Sequence, residues 1–126
     1  MNSEKIINIA VNVLNDKKAF DLSAIHIGEL TVIAEYFILA TATSNTHVKA
    51  LADAVEEKLK LEGFLPDHIE GRATGWILLD YNGVVIHIFS RDAREFYNLD
   101  RMWDDGDKLD LDEMLNTARE EDSNEI

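Results

Sequence analysis

The chain of 126 residues has no cysteine and a single proline. Without cysteine there is no disulfide, no thiol nucleophile and no thiolate metal site. No apolar run is long enough to span a bilayer. The start, MNSEKIINIAVNVL, lacks the basic opening and pure apolar block of a signal peptide. A cytoplasmic protein with no membrane association is the expectation. Basic residues are scarce as well: 12 Lys and Arg stand against 25 Asp and Glu, a net charge of −13. Affinity for free nucleic acid comes chiefly from Lys and Arg neutralising phosphates. Direct binding of free nucleic acid is therefore not expected, and a basic protein is the better-matched partner.

The familiar site motifs are missing too. His26, His47, His68 and His87 never pair at i, i+3 or i+4, and there is no HExxH. Neither GxxxxGK[ST] nor GxGxxG occurs. No metal and no cofactor is expected.

What is present is enough apolar residue, 46%, to bury a core in one domain. The charge is uneven. Residues 104–126 hold ten acidic and two basic residues, a net of −8, which leaves −5 for residues 1–103. The expected division is a folded domain over 1–103 and a weakly structured acidic tail over 104–126, with a weak helical pattern around Leu109 to Leu115.

Apolar positions at Ile6, Ile7, Ala10, Val11, Val13 and Leu14 predict an amphipathic helix over 3–18. Phe20 to Ile27 alternates as a strand does. Tyr36 to Thr41 is wholly apolar in character and reads as a central strand buried on both faces. Ser44 is placed to cap a helix carrying Val48, Leu51, Ala52, Val55 and Leu59, with Gly63 as its stop. Leu65 to Glu70 reads as a short strand, and residues 91–103 as a helix or two short turns. The order α-β-β-α-β-β-β-α implies a mixed sheet with helices packed on it, an α/β (α+β) fold.

The strongest local signal is 76-WILLDYNGVVIHIF-89. Asn82-Gly83 between two apolar runs predicts a two-residue hairpin turn. The pairing then places Ile77, Leu79, Tyr81, Val84, Ile86 and Ile88 on one face. Trp76, Leu78, Asp80, Val85, His87 and Phe89 share the other. This second face admits three readings. Asp80 and His87 are near enough for a general-base pair, although no nucleophile stands beside them. Alternatively, Asp80 opens the turn and His87 is a half-buried sheet residue. The third reading is a protein-binding patch, aromatic anchors with a few polar groups. The loop 41-TATSNTH-47, between a buried strand and a helix, offers free backbone N–H groups to an anion. Thr43 and Ser44 acting simply as caps of that helix is the preferred reading.

Taken together, YFILATATSNTHVKALADAVEEKL, HIEG and GWILLDYNGVVIHIFSRDAREFYNLDRMW resemble the bacterial ribosomal silencing factor family, also called the Iojap or RsfS family. The matching stretches, 35–47, 70–71, 76–80, 84–89 and 94–103, are collinear and correctly spaced. Glu35 stands where the family often has Asp, and Ala42 where it often has Gly. The resemblance implies a mixed, roughly five-stranded sheet flanked by helices, with a nucleotidyltransferase-like core, and a homodimer. It implies a translational repressor, not an enzyme. Such proteins bind the large ribosomal subunit through large-subunit ribosomal protein fourteen and sterically block joining of the small subunit. Mitochondrial relatives act in large-subunit assembly, which is the alternative role; a nucleotide-binding or nucleotidyl-transferring enzyme using loop 41–47 is another. The hairpin's second face supplies the expected docking residues: Trp76, Leu78, Asp80, His87 and Phe89, joined by Glu95, Tyr97 and Trp103.

Overall fold

The apolar run Tyr36–Ala42 becomes β2, an interior strand of one mixed sheet. The computed structural model describes residues 3–28, 34–71, 75–98 and 106–115. Within them the elements are α1 (Ser3–Asp16), β1 (Phe20–His26), β2, α2 (Asn45–Leu61), β3 (His68–Glu70), β4 (Trp76–Tyr81), β5 (Val84–Ser90), α3 (Arg91–Tyr97) and β6 (Asp107–Lys108). The strand order is β3-β4-β5-β2-β1-β6. β2 runs parallel to β5, and every other neighbouring pair is antiparallel. A parallel neighbour needs a crossover, and α2 provides it.

The sheet has six strands, one more than the sequence predicts. The addition is β6, whose Lys108 and Asp107 pair with Ile25 and His26. Two residues are too few to show an alternating pattern, so nothing in the sequence marks this strand. Behind it, Leu109 donates its backbone N–H to Ala24 O at 3.0 Å. Leu109, Leu111, Met114 and Leu115 then pack on the main core. The first part of the acidic extension thus completes one sheet edge.

That main core lies between α1, α2 and one face of the sheet. Ile6, Ile7, Val11 and Leu14 of α1 meet Val48, Leu51, Val55 and Leu59 of α2. Both helices cover Ile38, Ala40, Ile77, Leu79, Ile86 and Ile88. The buried side chains that line this interface at the sheet are aliphatic apart from Tyr81, with Tyr36 partly buried against them. Fully burying each such side chain contributes about 1.5–3 kcal/mol relative to leaving it in water, and this layer is the main source of stability.

The Asn82-Gly83 hairpin forms in the register its turn dictates. Tyr81 pairs with Val84, Leu79 with Ile86, Leu78 with His87 and Trp76 with Phe89. Asn82 and Gly83 have φ of 54° and 94°. Both central residues of such a turn need the left-handed region, which Asn and Gly tolerate best.

Candidate partner-docking face

Among the described residues, the second face of the sheet carries no long helix. Its row through β4, β5 and β2 reads Trp76, Phe89, Thr41, and the next row reads Leu78, His87, Leu39. A smaller apolar cluster of Ile25, Ile27, Ala34, Phe37, Val85 and Leu78 lies beyond. α3 touches β5 and β2. Ser90 Oγ caps α3 by accepting from Ala93 N at 3.2 Å, and Asn98, with φ 50°, ends it. Arg94 ties α3 down. Its guanidinium donates to Thr41 Oγ1 at 2.9 Å and to the carbonyl oxygen of Asp21.

The aromatic groups form one stack. Phe89 is fully buried, with the Trp76 ring on it at 5.4 Å and 22°. His87 lies nearly parallel to Phe89 at 5.9 Å, and Phe37 meets it edge-on at 4.5 Å. Trp76, itself half-buried, donates its indole N–H to His87 Nδ1 at 3.1 Å. An accepting Nδ1 leaves the proton of a neutral imidazole on Nε2. That nitrogen is buried and has no hydrogen-bond partner among the described residues. Burial pushes the His87 pKa down to about 3, because a charged ring there would have lost its water.

Asp80 has a different task. Its Oδ1 accepts from Gly83 N at 3.1 Å, and Asp67 Oδ2 accepts from Asn82 N at 3.0 Å. Two carboxylates therefore hold the two turn amides. Asp80 and His87, considered above as a general-base pair, each spend their bonds elsewhere: Asp80 on the turn and His87 on Trp76.

The eight residues expected at the docking site separate into groups. Trp76, Leu78 and Asp80 are half-buried on the hairpin face, and Glu95 is exposed on α3. His87 (3% exposed) and Phe89 are buried beneath the face, and so act as its support rather than its surface. The pairing pattern told which side they point to, not how deeply their neighbours cover them. The side chain of Tyr97 and all of Trp103 lie outside the described residues. One residue is new: Phe96 is 80% exposed, the most exposed large apolar side chain among the described residues. Its place inside EFY of the family-like string was the available signal. Asp67 and Glu70 near the hairpin and Asp92 and Glu95 on α3 are exposed, the last two alternating with Arg91 and Arg94.

The loop 41–47 closes on itself. Ser44 Oγ accepts from His47 N at 3.1 Å as the cap of α2. His47 Nδ1 accepts from Thr43 N at 2.9 Å, and its Nε2 bonds Lys17 O at 2.9 Å. The histidine thus staples this loop to the turn after α1. Between the loop, Gly75–Trp76 and the start of α3 opens a crevice of about 460 Å³, lined by Thr43, Ser44, Ser90, Arg91 and Asp92 among others. Gly75 borders it, and a Cβ there would stand 2.7 Å from Ser90 Oγ. Among the described residues, no three His, Asp or Glu side chains converge where a metal ion would sit.

Comparison with known proteins agrees with this architecture. The family model described as "Ribosomal silencing factor during starvation" matches residues 1–126. The ribosomal silencing factor RsfS of Bacillus subtilis is 32% identical, over 92% of this chain and 99% of that one. A crystal structure of a Chromobacterium violaceum protein superposes with a TM-score of 0.77 at 34% identity, covering 82% of this chain and 87% of the other. A more distant relative is the mouse protein named "Mitochondrial assembly of ribosomal large subunit protein 1", 28% identical over 77% of this chain and 44% of its own. With residues 1–126 matched by the family model and 82% of the chain matched in fold, the protein belongs to the ribosomal silencing factor family.

Proposed function

We propose that this protein represses translation by binding the large ribosomal subunit through large-subunit ribosomal protein fourteen, so that the small subunit cannot join. The observation that carries the reading is the family match along the full chain. The surface supports it. Trp76 and Leu78 on the hairpin face, Phe96 on α3, and the acidic groups around them suit a basic protein partner: apolar anchors with a charged rim. Binding is a steric act and requires no chemistry, in keeping with an aspartate and a histidine committed to structural bonds. The work is done where ribosomes are, which makes the protein cytoplasmic, and a homodimer is its proposed free state.

The test is sedimentation of purified subunits with and without the protein. Co-sedimentation with large subunits, together with fewer joined ribosomes, is the expected result. Failure to bind either subunit at moderate salt would overturn the proposal. A role in large-subunit assembly is the second reading, favoured by the name of the mouse relative. It predicts the same binding but unchanged subunit joining, with assembly intermediates accumulating when the protein is removed. An enzyme that used the 41–47 loop for a nucleotide would instead gain thermal stability on adding nucleotide and magnesium.

A further inference from the structure

We propose that His87 is a positioning residue, a buried acceptor that holds the Trp76 indole in the orientation a partner meets. The consequence for binding rests on the docking role proposed above; the consequence for the indole does not.

The argument begins with register. Trp76 pairs with Phe89 and Leu78 with His87, so Trp76 and His87 are diagonal neighbours on one face. The ring neighbours of His87 are Phe37, Phe89 and Trp76. A phenylalanine would fill that space without burying an unmatched Nε2 hydrogen, but it would take the acceptor away from the Trp76 indole N–H. Histidine brings a buried Nε2 hydrogen with no acceptor among the described residues, an unfavourable feature in a core. What it supplies in return is Nδ1, 3.1 Å from the Trp76 indole nitrogen.

Stacking on Phe89 fixes the plane of the indole but not which edge points outward, because a stacked ring keeps most of its contact when turned over. The hydrogen bond breaks that symmetry. Indole has one donor and no acceptor, so a single fixed acceptor selects one orientation. Burial keeps the imidazole neutral at ordinary pH, so Nδ1 remains available to accept.

The experiment uses the full chain, ¹⁵N-labelled, with the Trp76 indole resonance assigned by its loss in Trp76→Phe. In His87→Phe that resonance moves upfield and its proton exchanges faster with water. In His87→Asn, whose side-chain oxygen reaches close to the Nδ1 position, much of the shift is restored. Affinity for purified large subunits falls about tenfold in His87→Phe, as when the indole holds the competent orientation about a tenth of the time. Thermal stability does not fall, the lost bond being offset by removal of the buried Nε2 hydrogen. A merely structural histidine would instead lose stability and affinity together and leave the indole proton unmoved, and that result overturns the proposal. If the wild-type protein binds no large subunit, the docking role fails, and the indole resonance alone still decides for or against positioning.

Discussion

The two faces of one hairpin share a single layer of backbone and could hardly differ more in design. One presents Ile77, Leu79, Ile86 and Ile88 to a layer of two helices and is sealed. The other presents Trp76, Leu78 and Asp80, half-buried, over a buried stack of Phe89, His87 and Phe37. Charge follows the same division. Residues 1–18 and 45–62, which include the sealing helices, hold six lysines and six acidic residues. The net charge of −13 therefore resides entirely elsewhere in the chain. A face that only stabilises needs apolar volume and neutral cover. A face that also recognises needs aromatic groups held in place and a charged surround.

The comparison breaks most visibly in the sealed layer. Ile86→Ala should cost about 3 kcal/mol of unfolding free energy, since it leaves a cavity in a fully buried layer. Denaturant titration measures it. The folded fraction should bind large subunits as the wild type does; impaired binding by folded protein would mean that the two faces are not separable. His47→Ala should cost about 1–2 kcal/mol, because Thr43 N and Lys17 O both lose a partner. A loss of that size without any nucleotide-dependent change in stability would confirm that loop 41–47 is braced rather than poised for a ligand.

A pH comparison sharpens the contrast. With the folded pKa of His87 near 3 and the unfolded value at 6.5, the unfolded chain takes up a proton that the folded chain refuses. The contribution of His87 to stability is therefore complete above pH 6.5 and declines as the pH falls toward 3. Between pH 7.5 and 5 the wild type should lose more stability than His87→Phe does, as read from denaturant midpoints. Equal losses would place a charge-stabilising group near the ring. The smallest effect is expected at Tyr81. Its hydroxyl is buried in the sealed layer without a partner among the described residues, and burial, assisted by the Glu56 carboxylate, raises its pKa to about 12. Tyr81→Phe should leave stability unchanged or raise it by up to about 1 kcal/mol.

Much of this division was readable in advance. Asn82-Gly83 set the register, and the register sorted every hairpin residue to its side. Ser44 and Gly63 bounded α2 as capping chemistry requires. The depth of Phe89 and His87 was not readable, because alternation reports direction while burial depends on what non-local segments lay across the face. The two-residue β6 offered no period to detect, and its pairing rests on Leu109, Leu111 and Met114 finding the core from far along the chain. The exposure of Phe96 has no signal in the periodicity, because a seven-residue helix is too short to show which side faces the sheet. The bond from Trp76 to His87 was within reach of the register alone, since it joins diagonal neighbours. Which nitrogen accepts required coordinates.

The most direct test sets one exposed apolar residue against the proposed anchor. Leu61, 77% exposed at the end of α2, belongs to the helical layer; Trp76 belongs to the other face. Equilibrium binding of purified large subunits should weaken about thirtyfold in Trp76→Ala, the loss of roughly 2 kcal/mol typical of an anchor. Leu61→Ser should bind as the wild type does. Unchanged binding by a folded Trp76→Ala protein, or an equal loss in both variants, would contradict the assignment of recognition to the aromatic face.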